Sequence, residues 1–272
     1  MVLITKELKK SWEIIKANPF YVLFPVLTDI LFVMWYGFVR ANIGGKIVEY
    51  VQAFSAVVMQ NAGGVMRNYF LHGFSGALQT DPQIRFYMNK ILLLYVLLAL
   101  SIYLVYCFFQ GISWKLSFNL TGKKIGFYDF MKKFFLLNIV WGLIFVVYAF
   151  TSFIADFGRM VSERQGVEIA GSIGPISIII LVVLVYFSTI SYSLIGEDNI
   201  RKTLKKTFYL GLRKIMTTAQ AYTAIIIVII IINYLLKFAF QVSYGAMMLF
   251  GLLVFMPSIT WARVLINLTT KR

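Results

Sequence analysis

The chain is poor in the residues from which most catalytic and metal sites are built. It has one cysteine, one histidine and 11 acidic residues among 272, and only 14% of its residues are charged. Soluble domains usually contain about 25% charged residues. The single cysteine, Cys107, excludes an intrachain disulfide and a thiolate metal cluster. We therefore expect no cofactor and no metal site, and we expect the chain not to be a water-soluble globule.

Apolar residues, by contrast, make up 60% of the chain. Several uninterrupted runs approach the roughly 20 residues that a helix needs to cross a bilayer. We predict an all-α, polytopic integral membrane protein whose single membrane domain covers residues 1–272. The first apolar run follows the mostly polar residues 1–18 and precedes no small-residue cleavage site, so we expect it to be retained. The six predicted spans are 19–39, 91–111, 134–154, 175–195, 219–240 and 245–266.

The formal charge of +15 has a sign typical of nucleic-acid binders, but its distribution favours another explanation. Six spans place both termini on one side, and 18 of the 26 lysines and arginines lie on that side. Cytoplasmic loops of membrane proteins carry such an excess. We predict that both termini are cytoplasmic, that the protein is integral to the plasma membrane, and that it has no nucleic-acid partner. The 18 are Lys6, Lys9, Lys10, Lys16, Lys115, Lys123, Lys124, Lys132, Lys133, Arg201, Lys202, Lys205, Lys206, Arg213, Lys214, Arg263, Lys271 and Arg272.

One short pattern occurs three times: two apolar residues four positions apart, a lysine pair, one variable residue and an aromatic. Steps of four place each apolar trio on one helical face, with the lysines beside it. We predict three hairpins, each preceded by a basic amphipathic helix at the membrane surface, where lysines attract anionic headgroups. The alternative is that these are ordinary cytoplasmic loops of a lysine-rich chain. The copies are Ile4, Leu8, Lys9, Lys10, Trp12; Phe127, Met131, Lys132, Lys133, Phe135; and Ile200, Leu204, Lys205, Lys206, Phe208.

The third copy is the best formed, within the predicted cytoplasmic amphipathic helix 196–218. Asp198 or Asn199 can cap it, and Leu212 and Ile215 extend its apolar stripe. Together with Ser11-Trp12, Asn18-Pro19 and Pro25, this helix resembles a loose group of six-helix membrane proteins. The group includes the membrane domain attached to some glycerophosphodiester phosphodiesterases and several uncharacterised bacterial and archaeal families. The resemblance implies a six-helix fold, and no phosphodiesterase activity or functional residue is carried over.

Residues 40–90 form a predicted outer segment that is much longer than the usual connection. Ile47, Val51, Phe54 and Val58 recur at helical spacing, so we expect one or two amphipathic helices on the outer surface. A re-entrant segment is the alternative. His72 also lies here, and without other ligands at suitable spacing we expect it to be a surface or packing residue.

Asp29 is the most unusual residue of the predicted spans. It lies about 15 Å into the first span, where an aspartate costs roughly 2.5–3.5 kcal/mol. Its carboxylate must be protonated, paired or in contact with water. Arg263, in the sixth span, is the nearest cation by depth, and hydroxyl side chains lie at comparable depth. The candidate intramembrane polar site is Asp29, Arg263, Ser188, Thr189 and Ser191, with Asn138 also available.

Two functions follow from these patterns, and the sequence leaves both open. The first is a non-enzymatic membrane protein that organises lipids or partner proteins, with the Asp29–Arg263 pair fixing helix packing. The second is a small transporter or channel in which Asp29 serves a proton or cation pathway. Catalysis within the membrane needs paired aspartates, a Ser/His pair or a metal cluster, which the predicted spans lack. We therefore predict that the protein is not an enzyme.

Overall fold

The computed structural model describes residues 2–60, 82–164, 173–196 and 199–271, and these are almost entirely helical, with no strand among them. The all-α prediction is thus confirmed. The last helix contains a π-helical turn at Gly251–Phe255. The helices are α1 (Val2–Ala17), α2 (Pro19–Gln60), α3 (Pro82–Leu120), α4 (Phe127–Arg164), α5 (Ile173–Ser193), α6 (Ile200–Arg213), α7 (Ile215–Val242) and α8 (Tyr244–Thr270).

Five helices are long and apolar enough to cross a membrane. They are α2, α3, the Phe127–Tyr148 part of α4, α7 and α8. These five correspond to the first, second, third, fifth and sixth predicted spans. The predicted span 175–195 falls on α5, whose described apolar part, Ser177–Ser193, is shorter. The chain therefore has the build of a multi-pass helical membrane protein.

The predicted outer segment 40–90 is organised differently from our expectation. Its residues up to Gln60 continue α2 without a break, and its residues from Pro82 begin α3. The helix expected at 47–58 is present, but it is a continuation of α2 and not a separate helix. The backbone hydrogen bonding of α2 continues through Gly44 and Gly45, because glycine, unlike proline, has an amide hydrogen to donate. His72 lies outside the described residues.

The described residues form two compact units. One contains the residues up to Ile30 together with those from Phe109 onward, and the other contains Leu31–Phe108. In the second unit, aromatic contacts join the later part of α2 to the earlier part of α3. The ring centroids of Phe32 and Tyr106 are 6.0 Å apart, and those of Tyr50 and Tyr87 are 6.2 Å apart.

The core of the first unit contains an aromatic cluster that joins α3, α4 and α5. The Phe118 ring lies edge-on to the Phe130 ring, with 5.4 Å between the ring centroids. The centroid of the Phe134 ring lies 6.1 Å from that of Phe130 and 4.9 Å from that of Tyr192. Trp114 contacts Tyr192 from the α3 side at 5.5 Å. All five side chains are buried. In the absence of a hydrophobic driving force within lipid, such close packing is what holds helices together.

The three copies of the basic pattern take two different forms. The first lies in α1 and the third in α6, each a separate helix. The second copy forms the first turns of α4, which continues unbroken from Phe127 to Arg164. The second copy therefore does not form the separate surface helix that we predicted before this span. At the start of α6, Asn199 is the N-terminal flanking residue but makes no capping side-chain hydrogen bond, and Asp198 lies outside the described residues.

Thr260 offers a test of packing in α8. Its side chain is fully buried, and its hydroxyl has no hydrogen-bond partner among the described residues. An unsatisfied buried polar group costs about 1–3 kcal/mol, so Thr260→Val should raise the free energy of unfolding by about 1 kcal/mol. Thermal denaturation in detergent would measure this. Thr207 is the matched control, because its equally buried hydroxyl donates to the Thr203 carbonyl at 2.9 Å. Thr207→Val should not stabilise, and equal responses at the two positions would contradict the interpretation.

Candidate functional site

Asp29 and Arg263 meet in the interior of the first unit. Arg263 Nη1 donates to Asp29 Oδ2 at 2.7 Å, and Nη2 donates to Asp29 Oδ1 at 2.8 Å. This is the two-bond geometry in which a planar guanidinium binds a carboxylate most strongly. Only 3% of Asp29 and 5% of Arg263 are exposed. The structure thus brings together the two charged members of the predicted site.

Two side chains of α3 complete the surroundings of the carboxylate. Gln110 Nε2 donates to Asp29 Oδ1 at 3.1 Å, and its Oε1 accepts from Arg263 Nη2 at 2.7 Å. Ser113 Oγ lies 3.0 Å from Asp29 Oδ1 and 3.3 Å from the Pro25 carbonyl oxygen. Gln110 and Ser113 are three positions apart and so share one face of α3. We define Asp29, Arg263, Gln110 and Ser113 as the polar lock.

The polar lock is internally satisfied. An ionised carboxylate accepts at about four lone-pair positions, and four donor atoms lie within hydrogen-bond distance of Asp29. The Trp114 ring adds a cation–π contact, with its centroid 6.0 Å from Arg263 Cζ. The arrangement ties α2, α3 and α8 together and leaves the carboxylate little capacity to bind a further group.

The backbone of α8 departs from regular helix shortly before Arg263. The π-helical turn Gly251–Phe255 is followed by Pro257, which has no amide hydrogen to donate within the helix. A π-helical turn adds one residue to the helix and changes the direction of the side chains beyond it. The direction in which Arg263 leaves α8 therefore depends on this local irregularity.

The predicted hydroxyl members of the site bind elsewhere. Ser191 Oγ accepts from Trp141 Nε1 at 2.8 Å, and Ser188 Oγ donates to the Val185 carbonyl at 3.0 Å. Thr189 contacts the Tyr222 hydroxyl. Including these three in the Asp29 site was wrong, because similar depth in a span does not place residues on the same side of the bundle.

Asn138, which the sequence also offered, joins a second polar cluster. Its Oδ1 accepts from the Tyr192 hydroxyl at 2.6 Å, and its Nδ2 donates to the Phe134 carbonyl at 2.8 Å. The amide group therefore connects α4 with α5. Gln110 and Ser113 were the site residues that sequence analysis missed. The usable signal was the amide of Gln110 in an otherwise apolar span, with Ser113 one helical turn further on, just past the predicted end of that span.

Several segments that were predicted to be cytoplasmic come together in the first unit. Lys123 Nζ donates to the Ser193 carbonyl at 2.8 Å, and Lys271 Nζ donates to the Thr121 carbonyl at 3.3 Å. Lys133 donates to the Gly196 carbonyl. Burial, with a smaller contribution from the charge of Lys271, lowers the pKa of Lys123 to about 8. The Lys123 ammonium still carries its proton at pH 7.

The α6 helix packs through small residues. Its buried positions are Thr203, Thr207 and Gly211, spaced by four. The Tyr186 hydroxyl donates to the Gly211 carbonyl at 2.8 Å, and a Cβ at position 211 would lie 2.6 Å from the Phe187 ring. Only a glycine allows this close approach. The basic residues and several larger apolar residues of α6 are exposed: Lys202, Lys205, Lys206, Phe208, Tyr209 and Leu212. Phe208 also packs on α5, with its ring centroid 5.0 Å from that of Phe187.

No group of three histidine, cysteine, aspartate or glutamate side chains that could hold a metal ion occurs within the described ranges. Asp29, the acidic residue of the polar lock, faces a guanidinium and two neutral side chains. The polar lock is therefore built as a buried ion pair with neutral hydrogen-bonding neighbours.

These features define the class of a helical protein with several membrane-length helices and a buried interhelical ion pair. No protein-family model, curated protein or solved structure matches the chain. The resemblance to the six-helix group therefore stays an expectation, and the function has to be inferred from the chain's own residues.

Proposed function

We propose that this protein is a non-enzymatic, multi-pass membrane protein that organises anionic lipids at the cytoplasmic face of the plasma membrane. The observation that carries the proposal is the two-sided character of α6. Its small residues pack on the protein, while its lysines and the side chains of Tyr209 and Leu212 are exposed. Exposed aromatic and aliphatic groups beside lysines suit the boundary between acyl chains and anionic headgroups.

The first basic helix supports the same function. In α1, the Ser11 hydroxyl accepts from Trp261 Nε1 at 3.0 Å, which attaches the helix to α8. Trp12 is exposed, with the Lys16 ammonium 5.4 Å from the centroid of its ring. Tryptophan and lysine side by side are typical of the membrane interface. Two separate helices thus present the same chemistry.

The proposed topology has six spans, with α5 as the fourth and with both termini in the cytoplasm. The lysine contacts of the loop after α3, the segment after α5 and the end of α8 support it, since they bring together three segments that six spans place on the same side. Each of these segments adjoins the end of a membrane-length or apolar helix, and the positive-inside rule counts the lysines and arginines close to such ends.

The geometry of the polar lock favours a structural role over transport. A transported proton or cation needs a carboxylate that it can reach and that it can occupy. Asp29 is 3% exposed, and four donors surround its carboxylate. The two clefts at the end of α3, one beside Lys115 and one beside Tyr21, do not have Asp29 or Arg263 among their lining residues.

Lipid selectivity measured by electron paramagnetic resonance tests the proposal. In vesicles, spin-labelled phosphatidylglycerol should associate with the protein several-fold more strongly than spin-labelled phosphatidylcholine. Each lysine near the surface contributes about 1 kcal/mol at most, and salt weakens the effect. The triple variant Lys202→Gln, Lys205→Gln, Lys206→Gln should lose most of this preference without unfolding, since all three side chains are exposed.

Lys46→Gln with Lys237→Gln provides the control. Both lysines are exposed and lie on the predicted outer side. The control variant should keep at least most of the preference that the α6 variant loses. An α6 variant with wild-type selectivity would refute the proposal, as would catalysed uptake of a solute that depends on Asp29.

A further inference from the structure

Two adjoining clefts lie at the predicted cytoplasmic end of α3, within the first unit. The first has a volume of about 560 Å³ and is lined by residues that include Lys115, Lys124 and Asn119. The second has a volume of about 470 Å³, and its lining includes Tyr21 and Phe24 of α2. Leu116 and Asn119 line both clefts, so the clefts adjoin one another. Both volumes are within the range of about 300–1,000 Å³ that is usual for ligand sites.

We infer that the two clefts bind one anionic phospholipid of the cytoplasmic leaflet, with its phosphate at Lys115 and Lys124 and an acyl chain along Leu116 and Phe24. This inference rests on the proposed function and gives it a specific site. Both cations line the first cleft, together with apolar side chains, whereas the described lining of the second cleft has no cation and consists of aromatic and aliphatic side chains with two asparagines. This division matches the two chemically different parts of a phospholipid.

Lys115 is the residue that most clearly indicates an anionic ligand. It is only 6% exposed, yet it lines the first cleft. Its ammonium donates to Asn119 Oδ1 at 2.6 Å, and no carboxylate of the described residues forms an ion pair with it. A partly buried ammonium has three hydrogens to donate and is more stable with a counter-charge beside it. A phosphate oxygen in the cleft would supply both the acceptor and the charge.

The second cation of the lining, and the absence of acidic residues from that lining, agree with this assignment. Lys124 is exposed and lines the same cleft, and the lining contains no aspartate or glutamate. Asp129 lies just outside the lining: its carboxylate would be 3.3 Å from a Cβ on Gly126. Two cations therefore face the cleft from its lining, and one carboxylate borders it.

The depth of the site suits a lipid that enters sideways from the bilayer. Lys115 precedes the end of α3 by five residues, which is about 8 Å along the helix axis. Tyr21 and Phe24 are more than half exposed, so the second cleft is open toward the surface of α2. A headgroup at the interface can therefore reach Lys115 while its chain stays beside the apolar residues.

Native mass spectrometry of the full-length protein, released from mixed micelles, tests the inference. With phosphatidylglycerol the wild-type protein should retain one lipid molecule, and with phosphatidylcholine it should retain far less. Lys115→Gln should weaken phosphatidylglycerol binding by about tenfold, because a charge-assisted hydrogen bond is lost. Lys124→Gln, an exposed position that carries little folding risk, should weaken it severalfold. Lys115→Arg should restore most of the affinity, and Lys237→Gln should bind like wild type.

The outcomes separate this inference from the proposed function, because the α6 lysines are intact in every cleft variant. Loss of the retained lipid in Lys115→Gln and Lys124→Gln, with unchanged selectivity for the surrounding lipid, supports the site. Wild-type retention in both variants overturns it, even if the α6 result stands. Displacement of the lipid by millimolar inorganic phosphate also overturns it, since a site for free phosphate would then explain the cations.

Discussion

Asp29→Asn is expected to lower the free energy of unfolding by about 3–5 kcal/mol, the largest effect of any single substitution considered for this chain. The substitution removes the charge that faces Arg263 while the guanidinium stays buried. The cost comes mainly from an uncompensated cation, which is why it exceeds the value of an ordinary hydrogen bond. Thermal or denaturant unfolding of the purified protein in detergent would measure it.

A double substitution distinguishes a stabilising ion pair from a functional charge. Replacing both partners, as in Asp29→Leu with Arg263→Met, removes the buried charges together and should recover most of the lost stability. Gln110→Leu should have a smaller effect, because it leaves the Arg263–Asp29 bonds in place. If the double variant were as unstable as Asp29→Asn, the ion-pair explanation would be refuted. Normal stability of Asp29→Asn with complete loss of a solute uptake would point to transport instead.

Phe134→Ala is expected to cost about 2 kcal/mol of stability. Phe134 is fully buried and contacts Phe130 and Tyr192, so truncation leaves a cavity of about 100 Å³, and each Å³ of cavity costs about 24 cal/mol. The transfer free energy that adds to this cost in soluble proteins is small here, because lipid is as apolar as the interior of the bundle. Phe134→Leu, which refills part of the space, should recover about half of the loss.

Phe127→Ala on the same helix is the control for this prediction. Phe127 is 57% exposed, so its truncation opens no enclosed cavity. Unfolding of the two alanine variants under identical detergent conditions should show a clear difference in midpoint. Equal destabilisation would mean that the aromatic cluster of α3, α4 and α5 is not a tightly packed core.

The fold class and the charged pair were predictable because both follow from the cost of polar groups in hydrocarbon. Long apolar runs indicated the helices, and the depth of Asp29 required a partner, of which Arg263 was the candidate at the nearest depth. The hydroxyl partners were not predictable in the same way. Depth along a span can be counted from the sequence, whereas Ser188 and Ser191 lie on a helix whose neighbours only the tertiary structure determines.

The lengths of the helices were also underestimated, for a physical reason. The apolar run ends near Val39, where hydrocarbon thickness would end a span, but backbone hydrogen bonding continues to Gln60. Hydropathy reports the surrounding medium and not the end of a helix. In α6, similarly, the apolar stripe identified the helix but not its packed face, which small residues at 203, 207 and 211 form.

The polar lock has a consequence for biosynthesis. Asp29 and Arg263 are separated by 234 positions, and they belong to the first and last membrane-length helices. At about 5–20 residues per second, the ribosome completes the second partner on the order of tens of seconds after the first. Throughout that interval the newly inserted α2 carries a carboxylate whose counter-charge has not yet been translated. Closure of the bundle is therefore a late event that requires the arrival of α8.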